Sequence, residues 1–184
     1  MAQSWRMRRR SDPPPPLDPA ALERLALRYV ERYATTRARL AAYLARKLRE
    51  RGSAGAMPDI DALVERFAEL GYVDDRAFGE MRAAAMARRG LGARRVAQAL
   101  RHAGIEEDDA DALAPEIGER RVETALAFAK RKRIGPFARS QPDRALREKQ
   151  ISAMVRAGHD FAIARAIVGM EPGEDTQFLH EQMM

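Results

Sequence analysis

Apolar residues recur along most of the chain at intervals of three and four, the spacing of one face of an α-helix. Leu22, Leu25, Ala26, Tyr29 and Tyr33 form a first stripe, Leu40, Tyr43, Leu44 and Leu48 a second, and Ile60, Leu63, Val64 and Phe67 a third that closes at Gly71. No segment sustains the apolar–polar alternation of β-branched residues that marks a strand. Gly52, Gly71, Gly90, Gly92, Gly104, Pro115, Gly135, Pro142 and Gly158 fall between stripes. Glycine supplies the left-handed turn that ends a helix. Frequent stops of this kind predict short helices, about nine of them.

The stops repeat. Leu48-x3-Gly52, Leu100-x3-Gly104 and Met154-x3-Gly158 each close a basic amphipathic segment, with glycines 52 and 54 residues apart. A longer helical segment precedes each (Leu22–Thr35, Asp75–Arg89, Gly118–Arg133), and another apolar stripe follows each (Ile60–Leu70, Ile105–Leu113, Phe161–Val168). That is a three-helix unit written three times. A short helix cannot bury its stripe alone, so each unit closes on itself and stacks on its neighbours. The expected fold is all-α: three tandem three-helix repeats in an elongated, curved, solenoid-like molecule. The units span residues 21–73, 74–117 and 118–170. Residues 1–20, with Arg8–Arg10 and Pro13–Pro16, read as a disordered basic, proline-rich tail, because four consecutive prolines favour extended backbone. Residues 171–184 read as a loose C-terminal tail.

Composition narrows the function. Cysteine is absent, which removes disulfides and thiolate metal sites, and aromatics are only 6%, so the cores must rest on Ala and Leu. His102, His159 and His180 are too dispersed for a local metal motif and read as surface or capping residues. The longest run free of polar groups, Leu40–Ala45, falls far short of the roughly 20 residues a bilayer needs. The basic N-terminus has no apolar stretch behind it, so a secretory leader is not expected, and a cytoplasmic protein is the default. Charge is uneven. Residues 1–58 hold 13 Lys+Arg against 5 Asp+Glu, residues 59–118 hold 8 against 13, and residues 119–184 hold 12 against 9. A mixed-sign surface of this kind suits a partner that is itself mixed, such as a protein coated on nucleic acid.

The segment Phe67–Phe78 reads F-A-E-L-G-Y-V-D-D-R-A-F, and Arg88–Ile105 reads R-R-G-L-G-A-R-R-V-A-Q-A-L-R-H-A-G-I. Together they resemble the central repeat of the RecX family, and the likeness extends over about residues 20–170. It implies that Gly71-Tyr72-Val73 closes one helix, that Asp74 and Asp75 cap the next, and that Phe78 anchors that helix. Leu100 and Gly104 then repeat the stop. An Asp at a helix start accepts from exposed amides, worth about 1 kcal/mol. Where the family usually has Gly-Pro this chain has Gly92-Ala93, and alanine is also a good helix former.

No catalytic constellation is present, and neither a cofactor nor a metal is expected. Gly90-Leu91-Gly92 lacks the Lys-Ser/Thr and the strand of a phosphate loop and reads as a turn between helices. Glu106, Glu107, Asp108 and Asp109 fit a helix start, where negative charge complements the dipole. Arg94, Gln98 and Arg101 line the side of a helix opposite Val96, Ala99, Leu100 and Ala103. They read either as a nucleic-acid contact or as a solvated face. Lys130, Arg131, Lys132 and Arg133 end another helix, and four consecutive cations exceed what capping requires.

The resemblance implies a regulator that is not an enzyme. It would bind the RecA filament on single-stranded DNA, inhibit the recombinase and ATPase activities of RecA, and so modulate recombinational repair. The acidic residues Glu106–Asp109 are then candidate RecA contacts and the basic sets candidate DNA contacts, with no membrane partner and a monomeric protein. A helix-turn-helix-like regulator that binds DNA without RecA is the alternative.

Overall fold

The computed structural model describes residues 15–182. Among them ten α-helices follow one another: α1 (Pro19–Arg32), α2 (Arg37–Arg51), α3 (Ile60–Glu69), α4 (Asp75–Arg88), α5 (Ala93–Ala103), α6 (Glu107–Glu119), α7 (Arg121–Lys132), α8 (Arg144–Arg156), α9 (Phe161–Gly169) and α10 (Gln177–Gln182). A 3-10 turn at Gly135–Phe137 links α7 to α8. The described residues contain no named strand, only one isolated bridge between Leu17 and Ser53. The chain is all-α.

Three separate cores account for the packing. Leu22, Ala26, Leu40, Leu44, Leu48, Val64 and Phe67 join α1–α3, with Leu17 and Val73 from the flanking segments. Phe78, Met86, Val96, Leu100, Ala103, Ile105 and Leu113 join α4–α6. Val122, Phe128, Met154, Ile163, Ile167 and Val168 join α7–α9. These are the stripes at three- and four-residue spacing, each too narrow to be buried except against two others. The units form a row of three three-helix bundles, in which α4 and α6 pack on α7.

Helix starts and stops follow the local chemistry. Asp18, Thr36, Asp59, Asp74 and Asp143 each accept from the amide three residues on. α6 lacks a side-chain cap but carries Glu107, Asp108 and Asp109 in its first turn. At the ends of α5 and α8 the anchor carbonyl is taken by the residue after the glycine. Ile105 N donates to Leu100 O at 3.2 Å and His159 N to Met154 O at 3.2 Å. The intervening Gly104 and Gly158 have φ of +73° and +96°, as this stop requires. Gly71 closes α3 the same way (φ +74°), with Tyr72 N donating to Phe67 O at 2.9 Å.

Several expectations need correction. Residues 1–14 lie outside the described residues, but the tail assigned to 1–20 does not run that far. Leu17 is 1% exposed, its N–H donates to Gly52 O at 2.9 Å, and α1 begins at Pro19, where proline's missing N–H costs nothing. The tail assigned to 171–184 is partly built in: Gly173 N donates to Pro136 O, and Leu179 of α10 is fully buried in the third core. The first long helix ends at Arg32 rather than Thr35, because Thr36 turns out to cap α2. Pro115 does not separate helices; α6 runs through it and on past Gly118. Pro115 and Asp111, whose carbonyl loses its helical donor, are both exposed, so solvent can replace the lost bond.

Candidate functional site

The way the units meet determines what is left exposed. Between the first and second, the N-terminus of α2 meets the C-terminus of α5. The buried Thr36 hydroxyl donates to Ala103 O at 2.5 Å while accepting from Arg39 N at 3.3 Å. Arg37 N donates to Asp75 Oδ1 at 2.9 Å, and the Arg37 guanidinium lies 4.0 Å from the same carboxylate. Of the expected pair of caps, Asp74 alone caps α4, through Ala77 N. Asp75 instead reaches across to cap α2. Burial pushes the Asp75 carboxyl up, against the Arg37 amide and charge, which pull it down, while Asp109 and Glu106 add to the upward shift. Gly104 fits here because a Cβ on it would lie 2.3 Å from Ala38 Cβ.

Between the second and third units, the N-terminus of α5 meets the C-terminus of α8. Gly92 N donates to Ala157 O at 3.0 Å and Arg94 N to Gly158 O at 3.2 Å. His159, expected at the surface, is 2% exposed. It occupies the position after the stop that Ile105 holds in the second unit. Its ring meets Phe128 edge-on at 5.4 Å, and Nε2 lies 3.1 Å from Gly90 O. Burial lowers its pKa, and the Gly90 carbonyl opposes that shift. Arg131 of α7 donates to Arg89 O, closing the junction from outside.

The middle helices thus abut as α8, α5 and α2, carbonyl end to amide end, so opposite poles of their dipoles meet at each joint. Basic residues concentrate on them: six Lys/Arg against one Glu in α2, three against none in α5, four against one in α8. The third helix of the second unit is the reverse, with six Asp/Glu and no Lys or Arg in α6. A groove along this spine is lined by Arg39 of α2, Arg82 and Arg89 at α4, and Arg95, Gln98 and His102 of α5. No carboxylate lines it. Arg39 also lies over the Phe78 ring at 5.2 Å, and Arg95 donates to Gln98 Oε1 at 2.6 Å.

The residues singled out in the sequence fall around this groove rather than along one line. Arg94, Gln98 and Arg101 are all exposed on α5. Gln98 enters the basic groove, whereas Arg94 and Arg101 flank a second cleft against α6 that Glu107 and Asp111 share. Lys130, Arg131, Lys132 and Arg133 are exposed, with Arg131 drawn to Arg89 and over the Phe128 ring at 5.4 Å. Glu106, Glu107 and Asp108 are exposed and Asp109 half-buried, with Glu107 in that second cleft. Of the motif positions, Phe78, Leu100 and Asp75 are buried, whereas Tyr72 is half-exposed, with its ring 5.4 Å from Phe67. Arg39, Arg82, Arg89, Arg95 and His102 were not foreseen as a group. Arg95 and His102 follow Arg94 and Arg101 by one residue, but Arg39 comes from another unit, and only the joint at Thr36 brings it in.

Among the described residues, no group of three His, Cys, Asp or Glu is placed to hold a metal, and no helix is long and apolar enough to cross a membrane.

Comparison with known proteins places these features in context. A family model described as "RecX, second three-helix domain" matches residues 74–113. The regulatory protein RecX of Myxococcus xanthus is 32% identical over 174 residues, covering 86% of this chain and 90% of that protein. Its counterpart from Agrobacterium fabrum is 29% identical over 140 residues, or 74% and 75% of the two chains. The crystal structure of RecX from Lactobacillus salivarius superposes with a TM-score of 0.63 over 81% of this chain and 93% of that one, at 20% identity. At that identity the likeness speaks for the fold.

Proposed function

The chain belongs to the RecX family of regulatory proteins, and from that premise we propose that it binds the RecA filament on single-stranded DNA and inhibits its recombinase and ATPase activities. The observation that carries this reading is the end-to-end spine. Three related units joined end to end suit a periodic target, which each can engage with a gain in effective concentration at each added contact. The two signs of charge lie on different helices of the same unit. In this reading α6, with Glu106–Asp109, faces basic surface on RecA, while the groove of Arg39, Arg89, Arg95 and Gln98 approaches phosphates. Inhibition follows by differential binding: a filament state that hydrolyses ATP and exchanges strands poorly is the state the regulator favours. As a monomeric, cytoplasmic protein without catalytic machinery of its own, it would act by occupancy alone.

The test is RecA-dependent ATP hydrolysis on single-stranded DNA with and without the protein. Inhibition at amounts below one per RecA protomer supports the proposal, and an unchanged rate rejects it. Reversing the charges of Glu106, Glu107, Asp108 and Asp109 should weaken inhibition; full inhibition by that variant would remove α6 from the interface. The basic groove also favours a second reading, a DNA-binding regulator that needs no RecA. That reading requires affinity for duplex DNA alone, falling steeply with salt, and dependence on Arg39, Arg95 and Gln98 of the groove.

A further inference from the structure

We propose that the cleft between α1 and α2 is a stacking site for unpaired bases of a single-stranded nucleic acid. Three of the chain's four tyrosines meet there. The rings of Tyr29 and Tyr43 stack at 4.2 Å and 17°, and Tyr33 leans on Tyr29 at 5.4 Å. Tyr29 and Tyr33 continue the apolar stripe of α1 in the sequence, which predicts core positions for both. In the fold Tyr33 lies just past the end of α1 and is 48% exposed.

Arginine completes the cleft. Arg28, Arg32 and Arg46 line it with the three tyrosines, and no carboxylate does. Arg32 lies over the Tyr33 ring at 5.5 Å and Arg46 over Tyr43 at 5.7 Å. Neither Arg28 nor Arg32 forms an ion pair with a described residue, and the Arg46–Glu50 contact is an exposed pair at 3.7 Å. Such exposed pairs yield readily to competing anions. The half-exposed Tyr33 ring beside Arg28 and Arg32 offers the two components of single-strand binding, a ring for a base and cations for the phosphates. Stacking on a ring face is tolerant of sequence, because every base offers one.

The cleft and the basic groove both draw on α2. Arg39, Tyr43 and Arg46 fall at i, i+4 and i+7 of α2, on one face, and Arg39 already lines the groove beside Arg95 and Gln98. A strand whose phosphates follow the groove along α5 would therefore arrive at the tyrosines. Packing of α1 on α2 over the first core accounts for the Tyr29–Tyr43 pair but not for Tyr33, which is open.

The inference needs no RecA, and its test uses the full chain alone. Fluorescence anisotropy would compare a labelled 15-nucleotide oligo(dT), an abasic strand of equal length and charge, and oligo(rU). Stacking predicts that oligo(dT) binds about tenfold tighter than the abasic strand. Tyr33→Ala should erase that difference without altering abasic affinity or the melting temperature, and Tyr33→Phe should keep it. Oligo(rU) binding like oligo(dT) extends the site to RNA, and weaker oligo(rU) binding restricts it to DNA; both outcomes support stacking. Equal affinity for oligo(dT) and the abasic strand overturns the proposal, as does unchanged oligo(dT) binding by Tyr33→Ala. Because RecA is absent, failure here leaves inhibition of its ATPase standing, and the reverse holds too.

Discussion

Replacing Gly92 with alanine tests whether the second and third units are joined by backbone contact. Its φ of −78° suits any residue, so the cost is one of space. An added Cβ would lie 2.3 Å from the carbonyl carbon and oxygen of Gly158 and 2.5 Å from His159 N. Carbon contacts settle at about 3.5–4 Å, so the two backbones must part by roughly 1 Å. Overpacking of this kind costs about 1–3 kcal/mol. Parting also strains the bonds from Gly92 N to Ala157 O and Arg94 N to Gly158 O, at 3.0 and 3.2 Å. A buried group left without its partner adds about 1–3 kcal/mol. Together Gly92→Ala should destabilise the protein by about 2–6 kcal/mol, read as a lower urea midpoint in far-ultraviolet circular dichroism. Should the third unit detach while staying folded, the transition splits in two instead. Gly118→Ala is the control: nothing lies within 4 Å of its Cβ in α6, so it should stabilise by about 0.5–1 kcal/mol. A Gly92→Ala protein that unfolds at the wild-type midpoint, in one transition of unchanged steepness, would refute the backbone joint.

Asp75→Ala removes the cap that α2 receives from α4, and should lower stability by about 1–2 kcal/mol in the same assay. Asp75→Asn keeps an oxygen for Arg37 N and should lose less; equal losses would count against the capping role. His159 has a folded pKa below its ordinary 6.5 because of burial, so the unfolded chain binds its proton first as pH falls. Its contribution is complete above about pH 6.5 and declines as the pH drops toward the lowered folded value. Melting temperature should therefore fall from pH 7.5 to 5.5 more in the wild type than in His159→Gln; parallel profiles would show that His159 is not buried neutral. Leu17→Ala should cost about 2–4 kcal/mol by thermal melting, because Leu17 is 1% exposed in the first core. A loss under 0.5 kcal/mol would mean that ordered packing begins only at α1.

The helices and their stops were legible because they depend on neighbours in sequence. The apolar stripes named one face of each helix, and Leu100-x3-Gly104 and Met154-x3-Gly158 became the stops written there. What the sequence hid depends on distant partners. Asp75 beside Asp74 looks like a second cap for α4, and only the approach of Arg37, 38 residues away, reassigns it. His159 looks polar and exposed until it is placed in register with Ile105. Arg39 joins Arg95 and Gln98 through the Thr36–Ala103 contact across 67 residues. Tyr33 was misread for a local reason, since the stripe's last residue falls one position beyond the end of the helix.

Joining the units by helix ends has a consequence for any ligand along the spine. Contacts made at helix ends, through the Thr36 hydroxyl and Arg37 N at one joint and through Gly92 N and Arg94 N at the other, leave the outer faces of α2, α5 and α8 open. A ligand that touches Arg95 and Arg39 together spans the joint between α5 and α2, and binds best when that joint is closed. By linkage it must stabilise the joint by the same factor that closing the joint raises its affinity. Opening either joint should therefore weaken long strands, which cross it, more than short ones, which do not. This dependence on length separates a spine acting as one surface from three units binding independently.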